Sequence, residues 1–241
     1  MEYLDLSCPA PHHNLACDEA LLELAEDGDS GETLRFWESK TYFAVLGYSN
    51  KINSEVTRKS CASDNLPILR RPSGGGTVLQ GPGCLNYALI LNISSRPDLK
   101  TVKSATDSIL EIHRKALQDF LGQNVQVAGE SDLVVGNLKF SGNAQRRKKD
   151  FLLFHGTFLL DMDFGKIERY LALPSKQPAY RQGRRHEDFL TNISVCGEKL
   201  KEHLKNCWEA VLHFNISAAL DTKIHSLVRE KYSNPSWNEK F

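Results

Sequence analysis

Between Arg70 and Leu91 the chain reads RRPSGGGTVLQGPGCLNYALIL: two arginines, a proline and three consecutive glycines run straight into an apolar, strand-like segment. Adjacent glycines lose more backbone entropy on folding than other residues, so they belong where the chain needs positive φ or where something must approach the backbone closely. A glycine pair alone before a strand reads as a tight turn. Here the flanking guanidinium groups and the free N–H groups of a glycine loop together suit an anion, and phosphate is the commonest one. Thr77-Val78-Leu79-Gln80 favours a strand, so this is not a dinucleotide loop opening a helix. The patterns G-x-x-x-x-G-K-[ST], H-E-x-x-H and G-x-S-x-G are also absent.

The remaining constraints are negative ones. Lys+Arg and Asp+Glu both number 30, which gives no global charge for binding nucleic acid or a membrane surface. No apolar run approaches the roughly 18 residues of a membrane helix, and the N-terminus MEYLDLSCPAPHH lacks the regions of a signal peptide. A cytoplasmic protein is expected. Six cysteines are scattered without C-x-x-C spacing, which argues for free thiols rather than a metal site. The 241 residues suit one domain large enough to bury a full core.

Periodicity places the elements. NLACDEALLELAED has helical spacing, with Asn14 as its N-cap. TLRFWES and YFAVLGYSN read as strands, and PILRRPSGGGTVLQGPGCLNYALILNI as strand, glycine loop, strand, turn, strand. TVKSATDSILEIHRKALQDFLGQ carries a helical stripe stopped by Gly122. SDLVVGNLKFSGNAQ is a hairpin turned at Gly136-Asn137, followed by the strand FLLFHGTFLLDMD. FGKIERYLAL reads as a helix ended by Pro174, QPAYRQGRRHEDFL as a basic, aromatic loop that orders on ligand binding, and the C-terminal part as mostly helical. Short strands around a few long helices indicate an α+β fold with a mixed, largely antiparallel sheet flanked by helices.

RRPSGGGTV, GNLKFSGNAQ and HGTFLLDMD, in that order, resemble the catalytic domain of the lipoate–protein ligase A and octanoyltransferase family. NLACDEALL, LRFWES…LGYSN and KYSNPSWNEKF extend the resemblance over nearly the whole chain. It implies the biotin/lipoyl protein ligase fold, related to class II aminoacyl-tRNA synthetases. It also implies a single catalytic domain over 1–241, without the accessory C-terminal domain of many such ligases. The implied activity is ATP- and Mg²⁺-dependent conversion of lipoate or octanoate to an acyl-adenylate, then transfer to a lysine of a lipoyl-domain acceptor. An accessory subunit is a further implied partner.

By the same resemblance Arg71, Gly76, Thr77, Val78 and Leu79 contact nucleotide, and Ser73, Gly74, Gly75 and His155 border the acyl group. Lys139 is the catalytic lysine, touching both the α-phosphate and the acyl carbonyl. Asp132 matches an aspartate that contacts Mg²⁺ or ribose, whereas Glu130 and Ser131 depart from the family's pattern. Two anions meet when a carboxylate attacks a phosphate, so a fixed cation is needed there. A lysine in such a strand is costly without anionic partners, and substrate supplies them. On that view Lys139→Ala leaves the fold intact or slightly more stable. His155 is expected to support the pocket structurally, and RRKK (146–149) and RQGRR (181–185) are basic groups near the site.

Two rival readings stand beside this one. Octanoyltransferases pass the acyl chain through a cysteine thioester without ATP. The segment NVQVAGESDLVV before Lys139 has no cysteine, the context of Cys196 does not match, and Cys84 in QGPGCLNY falls at neither of the family's cysteine positions. Gln80 stands where a ligase has histidine, and the glycine-proline-glycine turn is closer to the transferases. Cys84 is read as a packing residue. The other rival is a non-catalytic paralogue that binds lipoyl domains, against which Arg71, Lys139 and the intact triple glycine argue. Biotin ligase fits less well, since its glycine loop carries arginine inside the glycines.

Overall fold

A computed structural model describes all residues, 1–241. Eleven strands form two sheets: β1 (Glu2–Asp5), β2 (Thr33–Trp37), β3 (Phe43–Leu46), β4 (Ile68–Arg70), β5 (Val78–Gln80), β6 (Cys84–Asn92), β7 (Val125–Ala128), β8 (Asp132–Val135), β9 (Leu138–Arg147), β10 (Phe151–Leu159) and β11 (Leu212–His213). The large sheet runs β11-β1-β2-β6-β10-β9-β8-β7; its first two pairings are parallel and the rest antiparallel. The small sheet, β4-β3-β5, carries the glycine loop between its outer strands. This is the expected α+β architecture. The short strands β1, β7 and β11 are additions that the sequence pattern does not signal.

Strand β6 is apolar on both faces because both are covered. Leu85, Tyr87, Leu89 and Leu91 pack with the helix Val102–Leu121, whereas Ala88 and Ile90 pack with the helix Pro11–Asp27. The helix Val102–Leu121 begins at a capping box, Thr101 with Ser104, and ends at Gly122 in the left-handed region, as its sequence signals require.

Two helix boundaries differ from expectation. Pro11 starts the first helix with Ala10 as N-cap, because proline's missing N–H costs nothing in the first turn. Asn14 therefore lies inside that helix. Its side chain receives the Cys8 N–H and an Arg35 N–H, and donates to the Cys8 carbonyl. The helix Phe164–Tyr170 stops before Pro174, since Leu171 is drawn into an extended bridge with Val56.

Arg35 is wholly buried, ion-paired with Asp18 and bonded to the carbonyls of Leu6 and Asn14. Burial pushes the Asp18 carboxyl up despite the guanidinium beside it. Removing one partner of such a pair strands the other charge away from water. Asp18→Ala should therefore cost about 3–5 kcal/mol of unfolding free energy, read from urea denaturation.

Candidate functional site

The site lies on the face of the large sheet that meets the small one. Register aligns Asn86, Thr157, Gly142 and Asp132 across β6, β10, β9 and β8, with Ala88, His155 and Ala144 in the next row. Over these rows lies the glycine loop. Ser73 Oγ and His155 Nε2 are 2.6 Å apart, and the Tyr48 N–H donates to the Ser73 carbonyl at 2.8 Å. Part of His155 reaches solvent, but desolvation of its ring and the nearby Arg71 guanidinium lower its pKa to about 3. The imidazole is neutral at working pH and acts as a prop for Ser73.

Arg71 faces inward, away from open space. Its Nη2 donates to the carbonyls of Gly74 (2.6 Å) and Gly76 (2.8 Å), its Nε to Ser73 Oγ, and its Nη1 to the Val45 carbonyl. Burial lowers its pKa to about 10, which still leaves it charged. With the carbonyls turned to Arg71, the N–H groups of Gly74, Gly75 and Gly76 donate to nothing in the chain, and all three residues are exposed. Consecutive free N–H groups at a turn are an anion cradle. Gly75 is the strictly required glycine, at φ +87°, and a Cβ there would stand 2.9 Å from Arg71 Nη2. Gly74 and Gly76 border open space. Thr77 is held by Asn50, while Val78 and Leu79 continue into β5.

Lys139 and Asp132 meet through a β-bulge. Leu133 pairs with Ser141 but Val134 pairs with Lys139, so Phe140 is an extra residue on β9. The bulge shifts strand alternation and brings Lys139 to the face of Gly142 and Asp132. Its Nζ lies 2.6 Å from Asp132 Oδ1, and the Tyr180 hydroxyl donates to Asp132 Oδ2 at 2.7 Å. The expected hairpin turn Gly136-Asn137 is present, with Val135 paired to Leu138. Since Asp132 already supplies an anion, Lys139→Ala should cost some stability; the expectation of a neutral or stabilising effect is corrected.

Both Asp132 oxygens are thus engaged, and no group of three His, Cys, Asp or Glu side chains gathers that could hold a metal. A metal at Asp132 would share its carboxylate with Lys139 and Tyr180 and find no second protein carboxylate, so these residues do not fit a metal held by the protein alone.

Of the other candidates, Gln80 is locked in a ring with Thr157 and Asn86. Cys84 is fully buried against Met162, with its thiol pushed up to about 12 by desolvation. Residues Arg146–Lys149 lie at the opposite end of β9 from Lys139, some 25 Å along the strand by its rise per residue. There Arg147 binds the carbonyls of Leu99 and Lys100, and Lys148 pairs with Glu23, both away from the site; Arg146 shares the strand face of Ala144, two residues along, beside the glycine loop. The 181–185 group is near the site, joined through Tyr180. Sequence reasoning missed Tyr180 and Gly142. An aromatic residue within a basic loop was the available signal for the first, but nothing in the sequence named its partner.

Comparison with known proteins follows the same lines. The family described as Lipoyl protein ligase A/B catalytic domain matches residues 10–205. An octanoyltransferase LipM of Geobacillus kaustophilus is 30% identical over 97% of this chain and 95% of its own. A probable lipoate-protein ligase A of Mycoplasma genitalium is 27% identical over 95% of this chain and 68% of its own. A lipoate-protein ligase A crystallised with ATP superposes with a TM-score of 0.84 at 22% identity, covering 99% of this chain and 98% of that one. A bipartite lipoate protein ligase of Thermoplasma acidophilum, described together with its E2 lipoyl domain, gives 0.83 at 20% identity over 99% and 95%. At those identities the structural likeness speaks for the fold. This chain's curated relatives are lipoate-protein ligases and octanoyltransferases, which makes this an enzyme of the lipoate ligase/octanoyltransferase class. The chain belongs to the lipoyl protein ligase A/B catalytic domain family.

A Cβ on Gly142 would lie 2.7 Å from Lys139 Nζ and 2.9 Å from its Cε. The lysine head is flexible and would yield, so Gly142→Ala should fold normally with Lys139 displaced. The rate of lipoyl or octanoyl attachment should fall by about 100-fold, the scale of a roughly 1 Å misplacement, while the thermal melt moves little.

Proposed function

We propose that this protein is a lipoate–protein ligase. It activates lipoate or octanoate with ATP to an acyl-adenylate, releasing pyrophosphate, then passes the acyl group to a lysine of a lipoyl domain, releasing AMP. The observation that carries the reading is the glycine loop: Arg71 holds its carbonyls inward, leaving the Gly74–Gly76 N–H groups free for an anion.

Attack of the carboxylate on the α-phosphate brings two negative groups together. The loop N–H groups and the Lys139 ammonium offset that repulsion, with Gly76 to Leu79 toward the nucleotide and Ser73 to Gly75 beside the acyl carboxyl. When the acceptor amine attacks the mixed anhydride, charge builds on the carbonyl oxygen and Lys139 stabilises it. The ATP-bound relative supports a nucleotide in this fold, and the lipoic acid bound to a Thermoplasma acidophilum relative supports the acyl substrate. The bipartite ligase of that organism supports a lipoyl-domain acceptor, and a separate accessory polypeptide as partner.

A second reading, octanoyl transfer from acyl carrier protein through a thioester, is favoured by the near full-length match to LipM proteins. The thiols argue for the ligase. Cys84 is sealed in the core, no cysteine stands between Leu121 and Lys139, and no thiol bonds to Ser73, Asp132, Lys139 or His155.

Purified protein given MgATP and lipoate or octanoate should form acyl-adenylate, detected by mass spectrometry without any acceptor. Lys139→Ala should slow adenylation and transfer by roughly 100- to 1000-fold, as loss of a transition-state donor does. Transfer from octanoyl carrier protein with no adenylate would move the assignment to the transferase. Cys84→Ala should keep most activity and cost about 1–2 kcal/mol of stability, measured by chemical denaturation. A folded but inactive Cys84→Ala protein, with an acyl thioester trapped on the unsubstituted enzyme, would overturn the ligase reading.

A further inference from the structure

We propose that Tyr180 is a positioning residue for acyl transfer: its phenol fixes the Asp132 carboxylate, and through it the location of the Lys139 ammonium. The inference rests on the reading above and adds a residue that lies outside both the glycine loop and the GNLKFSGNAQ strand.

A lysine head on a flexible four-carbon stem is placed only by what holds it. Here the holder is Asp132 Oδ1, at 2.6 Å. A carboxylate with one partner can turn about its Cβ–Cγ bond. A second bond on the other oxygen removes that freedom, and Tyr180 supplies it at 2.7 Å. A hydroxyl donating to a charged acceptor makes one of the stronger hydrogen bonds. Desolvation and the neighbouring Asp132 raise the phenol above its ordinary value, so it remains the donor at working pH.

Tyr180 is itself well held. Its ring lies 5.1 Å from that of Phe189 and packs against Gly129, where a Cβ would approach Cε1 to 3.3 Å. Its carbonyl accepts from Arg184 Nη2 at 2.9 Å, and Arg184 also lies over Phe189. The turn around residue 180 is thus a braced arm that reaches across to the edge of the sheet.

Tyr180→Phe removes the hydroxyl and keeps the ring. The expected result is a kcat lower by about tenfold or more, with KM for ATP and the acyl substrate within about twofold and a melt within a few degrees. Asp132→Asn should also be slow, and the double variant no slower than Asp132→Asn alone, because both act through one carboxylate. A Tyr180→Phe enzyme with near wild-type kcat, a loss confined to KM, or losses that multiply in the double variant would each overturn the proposal. Rates are read as acyl transfer to a lipoyl domain from the donor the unsubstituted enzyme uses, ATP with lipoate or octanoyl carrier protein. Failure of the ligase reading then shows in the choice of donor, and failure of the Tyr180 proposal in the variant comparison.

Discussion

The site depends on one buried guanidinium. Arg71 gathers the carbonyls of Gly74 and Gly76 and the hydroxyl of Ser73 into the protein, and so fixes which side of the loop faces out. Without an internal donor for those carbonyls, a glycine-rich segment has no reason to keep its N–H groups on one side. The cost of burying the charge is visible in its lowered pKa, and the carbonyl bonds offset it. His155 extends the same arrangement into the large sheet through Ser73. The two sheets are thereby held in register at the place where substrate chemistry would occur.

Arg70, the adjacent arginine, serves the periphery. It donates to the carbonyls of Gly47, Tyr48 and Asn50 on one side and of Trp237 and Asn238 on the other. The C-terminal segment, read in the sequence only as a motif resemblance, thus braces the turn after β3, against which Ser73 rests. Two neighbouring arginines of a basic-looking pair both act on backbone carbonyls, because burial leaves each charge needing acceptors more than it needs a distant anion.

Much of the fold could be read directly. The long amphipathic helix with its capping box and terminal glycine, the hairpin at Gly136-Asn137 and the doubly buried β6 follow from local signals, and each agrees with the tertiary fold. The errors arose where a distant contact prevailed. Asn14 reads as a cap but is recruited by Arg35 and Cys8, and the helix before Pro174 yields to the Val56–Leu171 bridge. The short strands β1, β7 and β11, at the two ends of the large sheet, are drawn into extension by pairing with their neighbours rather than by a pattern of their own.

The sequence alone determined the glycine loop and the order of the strands that carry it, whereas Ser73, Asp132, Lys139 and His155 joined one candidate site through the family resemblance. Those signals are local: glycine's backbone freedom, β-branched runs and turn residues act within a few positions of themselves. Only the tertiary structure decided how the members face one another. The extra residue Phe140 turns Lys139 onto the face of Asp132, and Tyr180, 48 residues from Asp132 in sequence, completes that carboxylate's bonding. A bulge reverses the side-chain alternation that a pattern assumes, and a hydrogen bond between distant segments depends on packing that no local window of residues contains.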